Sequence, residues 1–252
     1  VTKVFQGKTV SSVKCGECGA ISKTTENFLD LSLSLPTEKD LQEMYAGQQE
    51  RLGGGDGNVN GRESEMSEKA STFSRLTGNV FGLAGSAASK VKGLFYERPV
   101  SISECLQHHC APENLHERYE CDSCKMKTES GEKQIGILEV PEALCLHLKR
   151  FKYGGMFESK NSKVVTFPID ETLDLSPFLL PASTEDSADY QLMGIVQHMG
   201  SMGGGHYIAY ARHATTPNKW YEFDDTRVTL VTSESVATVE PYLLFYQRVP
   251  SE

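Results

Sequence analysis

No apolar run in this 252-residue chain approaches the roughly 20 residues that a membrane-spanning helix needs, and its first residues carry no signal-peptide pattern. Basic residues are scarce, 25 against 34 acidic ones, for a net charge of -9. That deficit, with no basic stripe interleaved with aromatics, argues against a nucleic-acid binder and leaves a basic protein partner open. No internal repeat is apparent. Cysteines number seven, an odd count unsuited to a closed disulfide framework, and four of them form two Cys-x-x-Cys pairs. A reduced, intracellular metal site explains that usage better than a secreted disulfide scaffold, so the expected compartment is the cytoplasm, with the nucleus also open.

What is present suits one sizeable globular core, with 38% hydrophobic and 23% charged residues. VTKVFQGKTV reads as the middle of an alternating strand, so the chain is expected to be cut from a longer one. In FLDLSLSLP, Leu29, Leu31, Leu33 and Leu35 alternate with Phe28, Asp30 and Ser32, which predicts a strand with one buried face. TEKDLQEMYAGQQERL follows with helix-forming composition and Thr37 as its N-cap.

The composition then changes, and residues 37–99 read as an insertion. GGGDGNVNG at 53–61 is expected to be a flexible linker. From 66 to 95, Phe73, Leu76, Val80, Leu83, Ala87, Val91 and Leu94 recur at spacings of three and four, the stripe of an amphipathic helix. Such a stripe fits a helix that binds a partner protein or a membrane surface. It equally fits a helix packed on its own domain, or a poorly ordered insertion. Regular structure resumes at Pro99, where Ser101 and Glu104 have capping-box spacing. ALCLHLKRF puts Leu144, Leu146 and Leu148 on one face. YQLMGIVQHM, GHYIAYARH, KWYEFDDTRV and PYLLFYQRV then read as a meander of antiparallel strands.

Two constellations carry chemistry. Cys15 and Cys18, with Cys121 and Cys124, sit in two matching hairpin-like turns, KCGECGAIS and ECDSCKMKT. Two such turns aim four thiolates at one tetrahedral ion, most simply a structural zinc, because no position is left for water. The long separation of the pairs is tolerable only if the intervening chain returns to its starting point. Cys145 reads as a core residue, and Cys105 and Cys110 flank a histidine pair that suits packing better than a second metal site. The other constellation is GGGHYIAYAR at 203–212 followed by WYEFDD at 220–225. A glycine-rich loop brings backbone close to a ligand, His206 stands beside it, and Asp224 or Asp225 on the neighbouring strand could orient its imidazole. A structural hydrogen bond is the blander account of the same residues.

FQGKTVSSVKCGECGAISKTTENFLDLSL, YECDSCKMKTESGEKQIGILEVPEALCLHLKRF, GGGHYIAYAR and WYEFDD together resemble the ubiquitin-specific proteases. The resemblance implies an α+β, papain-like cysteine-protease fold of thumb, palm and fingers, with an antiparallel palm sheet and zinc-ribbon fingers, and with ubiquitin and ubiquitinated proteins as partners. The insertion and LKRFKYGGMFESKNSKVVTFP resemble the subfamily whose members bind the von Hippel–Lindau protein. By the same resemblance His206 is the catalytic histidine, Asp224 the third triad member and Asp225 the adjacent assisting acid. The four cysteines are the fingertip zinc ligands, and loops 152–163 and 197–205 flank a channel for ubiquitin's tail, lined by Gly204, Gly205 and Tyr207. The family's nucleophile stands in a GNTCYMN-like box within the thumb, and none of the seven cysteines has that context. The chain is therefore expected to hold fingers and palm without the thumb, and base and acid without the thiol. Two functions fit: part of a deubiquitinase, inactive alone, or a non-catalytic ubiquitin-binding scaffold.

Overall fold

The computed structural model describes residues 2–53, 98–115, 118–152, 159–185, 188–201 and 203–250. The chain divides into two units, Val1–Met44 with Arg98–Glu252, and Tyr45–Glu97. Most of the expected linker and the whole 66–95 stripe lie outside the described residues.

The chain opens with a short helix, α1 (Thr2–Phe5), and not with the strand that its alternation suggested. Strand β1 (Gly7–Cys15) starts only where partners exist: its ladder with β2 (Ile21–Phe28) ends at Gly7↔Phe28. Among the described residues no ladder extends upstream of Gly7, and Phe5 packs edge-on against Phe245 at 6.4 Å between ring centroids. The alternating run FLDLSLSLP also breaks, at a bend after Phe28. Leu29 is exposed, whereas Leu31 and Leu33 of β3 (Leu31–Leu33) and Leu35 beyond it are buried.

Helix α2 (Glu38–Gly53) is capped as expected: the Thr37 hydroxyl accepts from the Asp40 amide, and the Thr37 amide donates to the Asp40 carboxylate at 2.7 Å. After β4 (Val100–Ser101), helix α3 (Ile102–Cys110) begins with the full Ser101–Glu104 capping box and buries Ile102, Cys105 and Leu106. Then come β5 (Glu113–Asn114), the hairpin of β6 (Tyr119–Glu120) and β7 (Lys127–Thr128), and β8 (Gly131–Glu139). β8 returns antiparallel along β1, from Lys8↔Glu139 to Cys15↔Gly131, in a four-stranded sheet of order β2-β1-β8-β5. That return is how the two distant Cys-x-x-Cys turns meet.

The larger sheet begins with β9 (Ala143–Leu148). Three short elements, β10 (Phe151–Lys152), β11 (Ser159–Lys160) and β12 (Val165–Thr166), make small ladders beside it, β10 with β11 and β12 with β4. β13 (Leu173–Asp174), β14 (Asp189–Ser201), β15 (Gly204–His213), β16 (Thr216–Asp224) and β17 (Arg227–Val231) follow, then helix α4 (Ser233–Ala237) and β18 (Leu243–Arg248). The sheet order is β17-β16-β15-β14-β18-β9-β3, with β13 on β14, and the pairings are antiparallel except β3 with β9.

The expected meander holds from β14 to β17 and then fails. β18 crosses back to lie between β14 and β9, because Leu244 and Tyr246 complete a buried layer with Ile195 and Leu192 on one side and Leu146 and Leu144 on the other. KWYEFDDTRV likewise folds as two strands joined by a hairpin. The sheet's inner face carries Leu144, Leu146, Leu148, Leu192 and Trp220, each fully buried. On its outer face, the cross-strand neighbours Phe223 and Val228 and the adjacent Leu230 stand 40%, 56% and 59% exposed. Among the described residues, no helix is long and apolar enough to cross a membrane.

Candidate active site and metal centre

The two cysteine turns are built alike. In the first, the Gly19 amide donates to the Cys15 carbonyl and the Cys15 amide to the Ala20 carbonyl; in the second, Lys125 donates to Cys121, and Cys121 to Met126. Both Gly19 and Lys125 are left-handed, at φ 70° and 58°. The Glu17 carboxylate accepts from the Thr128 and Ser130 hydroxyls at 3.0 and 3.1 Å, tying the first turn to the second hairpin.

The result is four sulfurs all within 4.8 Å of one another, with Cys18 and Cys121 at 3.7 Å. Tetrahedral ligands at about 2.3 Å from a zinc ion stand about 3.8 Å apart, so this donor set fits such an ion. The electrostatics prepare a thiolate here. The Tyr119 hydroxyl favours ionised Cys15 and, with backbone amides, brings it down to about 6. Cys18 is pulled down by the Ala20 amide, but desolvation and the neighbouring sulfurs outweigh that and push it up to about 12. Four thiols crowded this closely cannot all ionise without a cation.

The second constellation forms at the open end of the larger sheet. His206 sits near the start of β15, opposite Met199 of β14, and β16 joins the ladder only from Ala209↔Phe223 onward. It thus stands at the end of an interior strand, where its ring is half-exposed. Continuing that register puts Asp224 one diagonal step away on the same face, and His206 Nε2 bonds Asp224 Oδ1. Among the described residues, Nδ1 makes no hydrogen bond. The Asp224 hydrogen bond, helped by the charges of Asp224 and Asp225 and opposed by partial desolvation, raises the His206 pKa above its ordinary value. Asp225 is not on the strand. It is the first residue of the two-residue turn between Asp224 and Arg227, left-handed at φ 50°, and its carboxylate lies within 4.8 Å of the other two groups.

The glycines differ. A Cβ on Gly205 would lie 2.1 Å from His198 Nε2 and 2.5 Å from the Met199 carbonyl, so no side chain fits there. Gly204 faces open space. Tyr207 is 56% exposed and packs on His198, its cross-strand partner, at 4.8 Å. Around that pair stand Phe151, 5.2 Å from His198, and Tyr242, 6.2 Å from His198 and 6.3 Å from Tyr207. His198 lies in the 197–205 stretch expected to flank the tail channel, which the structure builds as the end of β14 and the start of β15, whereas Phe151 and Tyr242 lie outside both expected loops.

Three cysteines lie outside the four-sulfur cluster, Cys105 buried and Cys110 and Cys145 half-buried. Burial pushes Cys105 and Cys110 each up to about 12 and Cys145 up to about 11.

Compared with known families, residues 1–246 match the model described as ubiquitin carboxyl-terminal hydrolase. The chain belongs to that family. It is 36% identical over 155 residues to Ubiquitin carboxyl-terminal hydrolase 8 of Arabidopsis thaliana, a match covering 61% of this chain and 17% of the relative. Among solved structures it resembles a yeast SAGA DUB module with a variant Sgf73, at 26% identity and a TM-score of 0.66, over 99% of this chain and 42% of that one. A SAGA DUB module of Ubp8, Sgf11, Sus1 and Sgf73 bound to monoubiquitin matches at 25% identity and a TM-score of 0.64, over 100% of this chain and 42% of that one. The chain thus spans less than half the length of each of these relatives.

Proposed function

We propose that this chain supplies the base, the orienting acid and part of the ubiquitin-binding surface of a deubiquitinase that hydrolyses isopeptide bonds at ubiquitin's C-terminal glycine. The observation that carries the reading is the His206–Asp224 pair, set beside the Gly205–Tyr207 backbone, with no hydrogen bond to Nδ1 among the described residues. The seven cysteines argue that the nucleophile lies outside these residues, since four gather in the metal centre and burial raises the thiols of the others.

In this reading a thiolate brought to His206 is held as an ion pair with the imidazolium. It attacks the carbonyl of the terminal glycine, and His206 Nδ1 then protonates the departing lysine amine. His206 next takes a proton from the water that hydrolyses the thioester, while Asp224 fixes the ring through Nε2 and Asp225 adds charge. Ubiquitin's tail passes Tyr207 and the rings around it. The four cysteines hold a structural zinc that locks the two turns together, and the exposed strip of Phe223, Val228 and Leu230 gives an apolar face for a covering segment or chain.

A ubiquitin-binding scaffold needs the same surface but has no use for a raised imidazole. The test is hydrolysis of a ubiquitin isopeptide substrate by the full parent protein. His206→Ala should abolish turnover and Asp224→Asn should reduce it at least tenfold, whereas unchanged rates would leave the scaffold reading.

A further inference from the structure

We propose that Lys160 is a positioning residue: its ammonium joins the three chain segments that carry Phe151, His198 and Tyr242, and so sets the affinity for the extended tail of ubiquitin. The inference rests on the tail path proposed above.

Each ring beside Tyr207 comes from a different stretch of chain. Phe151 lies in β10, directly across from Lys160 in β11. His198 lies near the end of β14, and Tyr242 precedes β18. Backbone bonds already tie Tyr242 to β14 and to the end of β9, through its amide to the Val196 carbonyl at 2.8 Å and its carbonyl from the Leu148 amide at 3.0 Å; Lys160 adds a tie from β11 to the His198 backbone itself. Its ammonium donates to the His198 carbonyl at 2.7 Å and forms an ion pair with Glu240 Oε1 at 2.9 Å. One small cation thus touches β14 and the 240–242 stretch from a strand paired with Phe151.

The far end of the tie is anchored. Glu240 is also 3.6 Å from Arg150, whose guanidinium is 1% exposed. Arg150 donates to the carbonyls of Pro241, Asn161 and Lys163 at 2.6, 3.0 and 2.9 Å. The buried arginine therefore fixes the loops on either side whether or not Lys160 has its ammonium. The lysine adds one thing that the arginine does not, the bond to the backbone of His198. That residue is 6% exposed, and its imidazole occupies the space that a side chain at Gly205 would need. A shift of the His198 backbone moves the ring under Tyr207 and the glycine next to His206.

The Lys160 side chain is nearly buried (14% exposed), and its bond to a carbonyl is charge-assisted. Lys160→Met keeps the stem and removes the donors, and Glu240 retains Arg150 in the variant. A role confined to fold stability would lower the melting temperature and weaken every ubiquitin contact alike. A positioning role would act on the tail alone.

The experiment is calorimetric titration of the chain with intact ubiquitin and with ubiquitin trimmed of its C-terminal tail. The wild-type chain should prefer intact ubiquitin. Lys160→Met should cut that preference by about tenfold, the loss expected for one charge-assisted hydrogen bond, with trimmed-ubiquitin affinity and melting temperature unchanged. Lys160→Arg, which keeps a donor within reach of His198, should retain most of the preference. The proposal is overturned if Lys160→Met keeps the full preference, or if both affinities fall together. Equal wild-type affinities for the two ubiquitins would refute the tail path itself, and this inference with it. Should Lys160→Met fail to fold, Glu240→Gln, which frees the ammonium from its anchor, should lower the same ratio, and an unchanged ratio would overturn the proposal.

Discussion

Gly19 and Lys125 hold equivalent places in two turns separated by about a hundred residues: each follows the second cysteine of its pair, is left-handed, and donates its amide to the carbonyl of the first cysteine. Glycine takes that conformation freely, and lysine does so at a cost of about 1 kcal/mol. Lys125→Gly should therefore raise the melting temperature of the metal-loaded protein, and Gly19→Ala should lower it, each by an amount near that cost. A fall on Lys125→Gly would mean that the exposed Lys125–Asp122 ion pair, at 3.7 Å, outweighs the backbone strain.

The four-sulfur cluster should bind one zinc ion per chain. Mass spectrometry under native conditions should show that ion in the wild type and its loss in Cys15→Ser or Cys121→Ser. Structural zinc sites of this kind carry apparent binding free energies of the order of 10 kcal/mol, so a strong chelator should unfold the β1–β2–β8 sheet around the turns. Retention of the same circular dichroism and melting curve without metal would contradict the assignment.

The raised pKa of His206 has a cause that can be removed. NMR titration of the imidazole should show a fall toward the ordinary histidine value on Asp224→Asn, and a smaller fall on Asp225→Asn, which acts through charge alone. The sign for stability follows. A histidine whose folded pKa is raised stabilises fully below its unfolded pKa, about 6.5, and loses that contribution as pH rises through the folded value. Thermal melts of wild type and Asp224→Asn should therefore converge as pH rises through that window. Curves that stay parallel would show that the pair is not thermodynamically coupled to folding.

Gly205 and Gly204 should respond oppositely to alanine. The first would drive a methyl group into His198 and the Met199 carbonyl, an overpacking that costs roughly 1–3 kcal/mol, and the second faces open space. Urea unfolding of the two variants distinguishes them, and equal losses would mean that the loop relaxes around either methyl.

The residues whose chemistry is local were the legible ones. The N-cap at Thr37, the capping box at Ser101, the buried face of Leu144, Leu146 and Leu148, and the two cysteine turns all follow from patterns a few residues long. The His206–Asp224 contact was also within reach, because two adjacent antiparallel strands fix the diagonal between them. Features that depend on distant partners escaped. Thr2–Phe5 alternates like a strand, but among the described residues no ladder extends to it, and it coils into α1. β18 looks like the next strand of a meander, and it crosses back because Leu244 and Tyr246 fit between β14 and β9. Phe151, His198 and Tyr242 lie far apart in the chain and share no motif. The register of β14 on β15, the pairing of β18 with β14 and β9, and the contacts around Lys160 bring them together.

The most direct test of the central claim is the intact mass of this chain after incubation with ubiquitin bearing a C-terminal cysteine-reactive electrophile. The account predicts no adduct, because the four clustered cysteines would be held as metal ligands and burial raises the thiols of Cys105, Cys110 and Cys145. A covalent adduct of one ubiquitin, lost on substitution of a single cysteine, would show that this chain carries its own nucleophile and contradict the account.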